Sequence, residues 1–309
     1  MDISRRDALK MGAGAGAALF LGRFETPAQG PSFLSRTIPS SGEAIPAVGL
    51  GTARTFAVGE SAAQRAPLEE VLRRFHQLGG TVVDTAPTYG TAEGVAGDLA
   101  QKLGIENELF LATKISGARN AEEGKRQAEQ SMRLWGRDTI DLNQVHNLGN
   151  VETHLETLRQ SKEAGRTRYV GITTSRYEQF EQMESLLGRE TLDFVQLNYS
   201  LGERRAADRL LPLAHERSVA VIVNEPYNGG RLFRRVRGQV LPAWAAECDC
   251  ESWGQLFLKY ILGHPAVTVV VPATANPDHV VDNMGAGRGR VPDPQTRRRI
   301  EEWFDGLPA

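Results

Sequence analysis

Thr81-Val82-Val83-Asp84-Thr85-Ala86-Pro87-Thr88-Tyr89-Gly90 is an apolar run that stops at a carboxylate and gives way to a turn carrying a phenol. A short apolar run closed by Pro/Gly punctuation reads as a buried strand followed by a tight turn. Asp84 then sits at the C-terminal tip of the strand, with Tyr89 just above it. Two later runs end alike: residues 109–113 stop at Lys114, and residues 140–145 stop at His146. Three such strands lying side by side and parallel bring Asp84, Tyr89, Lys114 and His146 to one mouth. A carboxylate, a phenol, an ammonium and an imidazole together form a set suited to proton transfer.

Outward from this segment, the strand pattern recurs at 47–52, 81–84, 109–114, 140–146, 168–173, 193–198, 220–224 and 267–272. Helical periodicity fills the gaps, as in Leu68, Val71, Leu72, Phe75 and Leu78. Most of the strands are continuous apolar runs, as expected when both faces of a parallel sheet are covered. Eight such units predict a (β/α)8 barrel in the α/β class. A hairpin around Ser41-Gly42 precedes it, and an extra helix over 295–303 follows. The connection 224–251 is too long for a routine link and reads as part of the active-site wall. An open doubly wound sheet would need G-x-G-x-x-G after its first strand; Gly49-Leu50-Gly51 lacks the third glycine.

At this point the chain resembles the aldo-keto reductases, NADPH-dependent (β/α)8-barrel oxidoreductases, over about residues 37–293. The matching pieces are Gly49-Leu50-Gly51-Thr52, the Asp84–Tyr89 segment, Ala112-Thr113-Lys114, Val145-His146 and Tyr169-Val170-Gly171-Ile172. Val195-Gln196-Leu197-Asn198-Tyr199 and Val271-Pro272-Ala273-Thr274 through Asn283 complete them. The resemblance implies a tetrad of Asp84, Tyr89, Lys114 and His146 and a small carbonyl substrate. Reducing a carbonyl needs a hydride at carbon and a proton at oxygen. Lys114 is expected to pull down the pKa of Tyr89, the general acid, with Asp84 holding the lysine. His146 is expected to donate a hydrogen bond to the carbonyl oxygen. A nucleotide-binding redox sensor or regulatory subunit on the same fold is the alternative.

The resemblance also implies a cofactor run along Gly51, Thr52, Asp84, Thr173, Thr174, Gln196, Asn224, Pro226, Gly229, Pro272, Thr274, His279 and Asn283. Thr173-Thr174 stand where the family usually has Ser-Asn for the nicotinamide amide, and Gln196 matches the family's glutamine. Asn224 stands where many members stack a tyrosine, so either Tyr227 reaches in or the ring has no aromatic platform. The family's lysine and arginine for the 2′-phosphate fall on Ala273 and His279; Arg231 and Arg234 are candidate replacements. NADP is the expected cofactor, with NAD as the alternative. The substrate is expected to be read by loops 53–66, 147–151 and 225–250, with Phe56, Trp135 and Trp244 as candidate walls, core packing being the stronger reading of Trp135.

Composition narrows the partners. The chain carries 36 Lys+Arg against 38 Asp+Glu, a net charge of −2, so no strong field invites nucleic acid or an anionic membrane. Ser4-Arg5-Arg6-Asp7-Ala8-Leu9-Lys10 precedes a weakly apolar Gly/Ala-rich run and the small residues near Ala28. This reads as a twin-arginine export signal over 1–30, ahead of a barrel over 31–309. It predicts passage through the twin-arginine translocase to a periplasmic location, without stable membrane insertion, since the run falls short of the about 20 residues a span needs. Cys248 and Cys250 are two residues apart, poorly placed for a disulfide, and read as free thiols; with no nearby histidine they imply no metal site.

Overall fold

The computed structural model describes residues 33–308. The export-signal segment therefore lies outside the described residues. Chain order begins with the hairpin: β1 (Ser35–Thr37) pairs antiparallel with β2 (Ala44–Pro46). There follow β3 (Leu50–Gly51), α1 (Ala62–Gln77), β4 (Val82–Asp84), α2 (Ala92–Leu103), β5 (Phe110–Ile115), α3 (Ala121–Trp135), β6 (Ile140–His146) and α4 (Val151–Glu163). The second half holds β7 (Thr167–Thr174), α5 (Phe180–Arg189), β8 (Phe194–Asn198), α6 (Leu210–Glu216), β9 (Ala220–Asn224), α7 (Arg231–Arg235), α8 (Trp253–Leu262), β10 (Val267–Val270), α9 (Pro277–Gly285) and α10 (Pro294–Asp305).

Strands β3 to β10 form an 8-stranded sheet in sequential order, each neighbour parallel. The sheet curls until its first and last members meet. Bridges Val48↔Val270 and Gly51↔Ala273 make the closing contact, and Gly49 N–H donates to the Val270 carbonyl at 2.9 Å. The seam is tight: a Cβ on Gly51 would lie 3.0 Å from the Val271 carbonyl oxygen, so glycine lets the strands approach this closely. The expected strand 47–52 is accordingly a short β3 flanked by single bridges. The expected (β/α)8 barrel with its hairpin and extra helix is the observed fold. Among the described residues no helix is long and apolar enough to cross a membrane.

Period-2 alternation sorts the strand residues between two regions. Outward side chains such as Val83, Leu111, Val145 and Ile172 pack beneath the helices, while Val82, Phe110, Leu142, Tyr169, Phe194 and Ile222 fill the lower barrel interior. The hairpin plugs this lower end by adding Ile38 and Ile45, and the Tyr169 hydroxyl lies 2.8 Å from Ser41 Oγ. Helix α10 packs outside the barrel on Ile300 and Phe304, capped by Asp293, whose carboxylate accepts from Thr296 N–H.

Phe194 is fully buried between the rings of Phe110 and Tyr169, at centroid distances of 6.2 and 5.7 Å. Phe194→Ala should lower the unfolding free energy by about 3–5 kcal/mol in urea titrations, because the plugged end cannot collapse into the cavity left behind. A loss below about 1 kcal/mol would contradict this account of the lower core.

Candidate active site

At the upper ends of the strands the inward positions change character. The same alternating register that carries Val82, Phe110, Leu142, Phe194 and Ile222 below carries Asp84, Lys114, Gln144, His146, Thr173, Gln196 and Asn224 above. Lys114 is buried beside Asp84, donating to its Oδ1 at 2.8 Å and to the Thr85 carbonyl at 2.7 Å. A second donor reaches the same carboxylate oxygen, Gln196 Nε2 at 3.0 Å. Gln196 is itself fixed: its Oε1 accepts from Gln144 Nε2 at 2.6 Å, and its Nε2 also meets Asn224 Oδ1 at 2.6 Å. One polar chain thus crosses the barrel from Lys114 through Asp84 and Gln196 to Asn224.

Tyr89 is presented by the turn after β4, where its N–H donates to the Ala86 carbonyl at 3.0 Å and Gly90 takes a φ of +63°. The Lys114 ammonium lies 5.2 Å from the centre of the Tyr89 ring. Burial raises the pKa of the phenol and outweighs the lowering by Lys114, while Asp84 adds to the rise. The net direction is therefore upward, against the sequence expectation, and Tyr89 is held protonated at neutral pH. For Lys114, burial opposes the charge, but Asp84 and Tyr89 together prevail and its pKa is raised. It remains an ammonium.

His146 closes the set, its ring edge-on to Tyr89 at 5.9 Å and 85°. Burial, then the charges of Lys114 and Arg176, push its pKa down to about 3, so the imidazole is neutral. Its Nδ1 lies 2.6 Å from Ser116 Oγ and 3.4 Å from Thr88 Oγ1.

These groups open into a cavity of about 830 Å³ lined by Asp84, Tyr89, His146 and Thr173, and farther out by Gly229, Gly230, Phe233 and Ala273. Of the residues read from sequence along a cofactor, Gly51, Asp84, Thr173, Asn224, Pro226 and Gly229 line it. Thr52, Thr174, Gln196, Pro272, Thr274, His279 and Asn283 do not. Thr52 is buried, with its hydroxyl donating to the Asp84 carbonyl at 3.0 Å. Thr174 follows an inward residue and so faces outward; its hydroxyl donates to Gln179 Oε1 at 2.5 Å. Gln196 lies beneath the floor in the polar chain just described. Pro272 gives its carbonyl to the barrel seam, accepting from Gly51 N–H at 3.0 Å, and Thr274 Oγ1 accepts from Asn276 N–H at 3.0 Å. His279 is exposed on α9. Asn283 accepts from the Tyr227 hydroxyl at 2.5 Å.

Tyr227 does reach the cavity, with its ring 4.8 Å from Phe233, whereas Asn224 supplies no aromatic face. The long connection forms a wall, as expected, but through Glu225, Pro226, Tyr227 and Phe233. Arg231 and Arg234 do not line the cavity, and the former donates to Asn228 Oδ1 at 2.9 Å. None of Phe56, Trp135 and Trp244 lines it. Phe56 and Trp135 are fully buried in the core, and Trp244 packs on Trp303 at 6.0 Å. The sequence reading passed over Gln144 and Ser116. Each stands two residues from a residue it did single out, and alternation places such neighbours on the same face. Cys248 and Cys250 are free and buried, and burial pushes the Cys250 thiol up to about 12.

The aldo/keto reductase family model matches residues 47–302. The chain belongs to the aldo/keto reductase family. Methylglyoxal reductase YeaE of Escherichia coli is 28% identical over 258 residues, 80% of this chain and 88% of that protein. Aldo-keto reductase YhdN of Bacillus subtilis is 28% identical over 172 residues, 50% of each chain. An aldo/keto reductase of Klebsiella pneumoniae, solved in complex with NADP and acetate, superposes with a TM-score of 0.70 at 26% identity, covering 85% of this chain and 93% of its own.

Removing one partner of the buried pair leaves a charge without compensation. Lys114→Met should cost about 3–5 kcal/mol in urea unfolding, and adding Asp84→Asn should restore part of that stability. A Lys114→Met protein as stable as the parent would show that the pair is not the anchor described.

Proposed function

We propose that this protein is an NADPH-dependent carbonyl reductase with Tyr89 as the general acid. One observation carries the reading: a protonated phenol, a buried ammonium and a neutral imidazole meet at one end of the cavity. That combination can deliver a proton to oxygen.

The cavity fits a dinucleotide. Its volume of about 830 Å³ exceeds the need of a small carbonyl compound, and Gly51, Ala53, Ala273, Gly229 and Gly230 keep its walls thin. Thr173 and Asn224 offer polar groups there, and among the described residues the Asn224 amide nitrogen has no partner. NADPH, when bound, would supply the hydride; the Klebsiella pneumoniae relatives solved with NADP and with NADPH support this choice of cofactor.

The chain's own residues handle the proton and the oxygen. Tyr89 O–H donates toward the carbonyl oxygen, and the Lys114 ammonium stabilises the phenolate left behind. Asp84 keeps the ammonium in place, since it has an acceptor on each side in Asp84 and Thr85. Neutral His146 donates a hydrogen bond to the same oxygen and so orients the carbonyl. Tyr89→Phe should reduce kcat by about 10²–10⁴-fold while NADPH binding, followed by fluorescence, stays intact. Wild-type turnover in this variant would end the proposal.

The motif Ser4-Arg5-Arg6 supports export by the twin-arginine translocase and work in the periplasm. Replacing Arg5 and Arg6 by Lys should retain the protein in the cytoplasm on cell fractionation. Equal periplasmic yield would contradict this location.

A further inference from the structure

We propose that Ser116, clamped by Gln127, is a positioning residue that fixes the ring tautomer of His146, making Nδ1 the acceptor and leaving the proton on Nε2. The inference rests on the reductase reading for its use, although the tautomer itself can be measured without it. A neutral imidazole carries one N–H and one lone pair, and which nitrogen bears which decides what the ring can do. With the proton on Nε2, His146 can donate to a carbonyl oxygen. With the proton on Nδ1, a bare lone pair would face that oxygen and repel it.

The surroundings of Nδ1 decide between these forms. Ser116 Oγ lies 2.6 Å from it, and the residue is buried. Among the described residues the Ser116 hydroxyl has no other partner, so its proton has only the Nδ1 lone pair to go to. Protonation of Nδ1 would reverse that bond and leave the hydroxyl proton without an acceptor among the described residues. Thr88 Oγ1, at 3.4 Å on the cavity side, is a second hydroxyl aimed at the same nitrogen. Among the described residues no carboxylate or carbonyl is placed to take an Nδ1 proton instead.

Ser116 cannot easily turn away. Its N–H donates to Gln127 Oε1 at 2.8 Å, and its carbonyl accepts from Gln127 Nε2 at 2.8 Å. One side-chain amide from α3 thus grips both backbone groups of the residue that follows β5. The peptide is held as it would be in a strand ladder, although the strand has ended. The relay runs from α3 through Ser116 to Nδ1 of the ring, and neither relay residue lines the cavity.

The test uses the full chain with ¹⁵N-labelled histidine, the His146 signals being assigned by their loss in His146→Gln. In the parent protein Nδ1 should show the shift of an unprotonated nitrogen and Nε2 that of a protonated one. Ser116→Ala should give mixed tautomers and lower kcat about tenfold or more, with NADPH affinity and unfolding midpoint unchanged. Ser116→Thr, which keeps an Oγ, should restore both the shift and the rate. Gln127→Leu should give an intermediate mixture. A protonated Nδ1 in the parent, or an unchanged tautomer in Ser116→Ala, overturns the proposal. A changed tautomer with unchanged kcat overturns its positioning role. An active Tyr89→Phe protein would sink the reductase reading and leave the tautomer result standing.

Discussion

A lysine with no water to solvate it governs the upper half of this barrel. Burying an ammonium is expensive unless a counter-charge and hydrogen-bond acceptors meet it. Asp84 and the Thr85 carbonyl do so at 2.8 and 2.7 Å, with the Tyr89 ring centre 5.2 Å away. Asp84, in turn, could not be buried alone. Gln196 provides its second donor, Gln144 sets which way the Gln196 amide faces, and Asn224 ends the chain. Each member is held by the next, so the ion pair organises the polar residues on strands β4, β5, β6, β8 and β9.

Such a layer is affordable only because the layer below it is apolar and closed. Inward positions change from Phe110, Leu142 and Phe194 to Lys114, Gln144 and Gln196 within a few residues along each strand. The hairpin seals the far end, which keeps water out from beneath. The polar groups are therefore confined to one mouth, and a ligand entering it meets them from a single direction. Desolvation there does two jobs: it keeps the phenol protonated and holds the imidazole neutral, the states in which each can donate.

Much of this was legible in the sequence. The eight apolar runs, the absence of a third glycine after Gly49-Leu50-Gly51, and the runs ending in Asp84, Lys114 and His146 gave the barrel and its mouth. What escaped the reading depended on side chains from separate elements. Nothing local marks Gln127 on α3 as the clamp of Ser116. The direction of the Tyr89 pKa was misjudged because proximity to a cation is visible in a motif, whereas burial is a property of the whole fold. Phe56 looked like a wall by size, yet the same size carried it into the core, where Trp135 also lies as its stronger reading had it. Thr174 was paired with Thr173 because the two stand where the family has Ser-Asn, although adjacent strand residues face opposite ways.

The central claim is that hydride goes to a carbonyl carbon while the chain's own residues deliver the proton. The most direct measurement supplies NADPH deuterated at C4, each epimer in turn, with a small aldehyde, and locates the label in the product by mass spectrometry. The account predicts that one epimer gives one deuterium at the carbinol carbon for each NADPH consumed. Cofactor oxidation without labelled alcohol would contradict it.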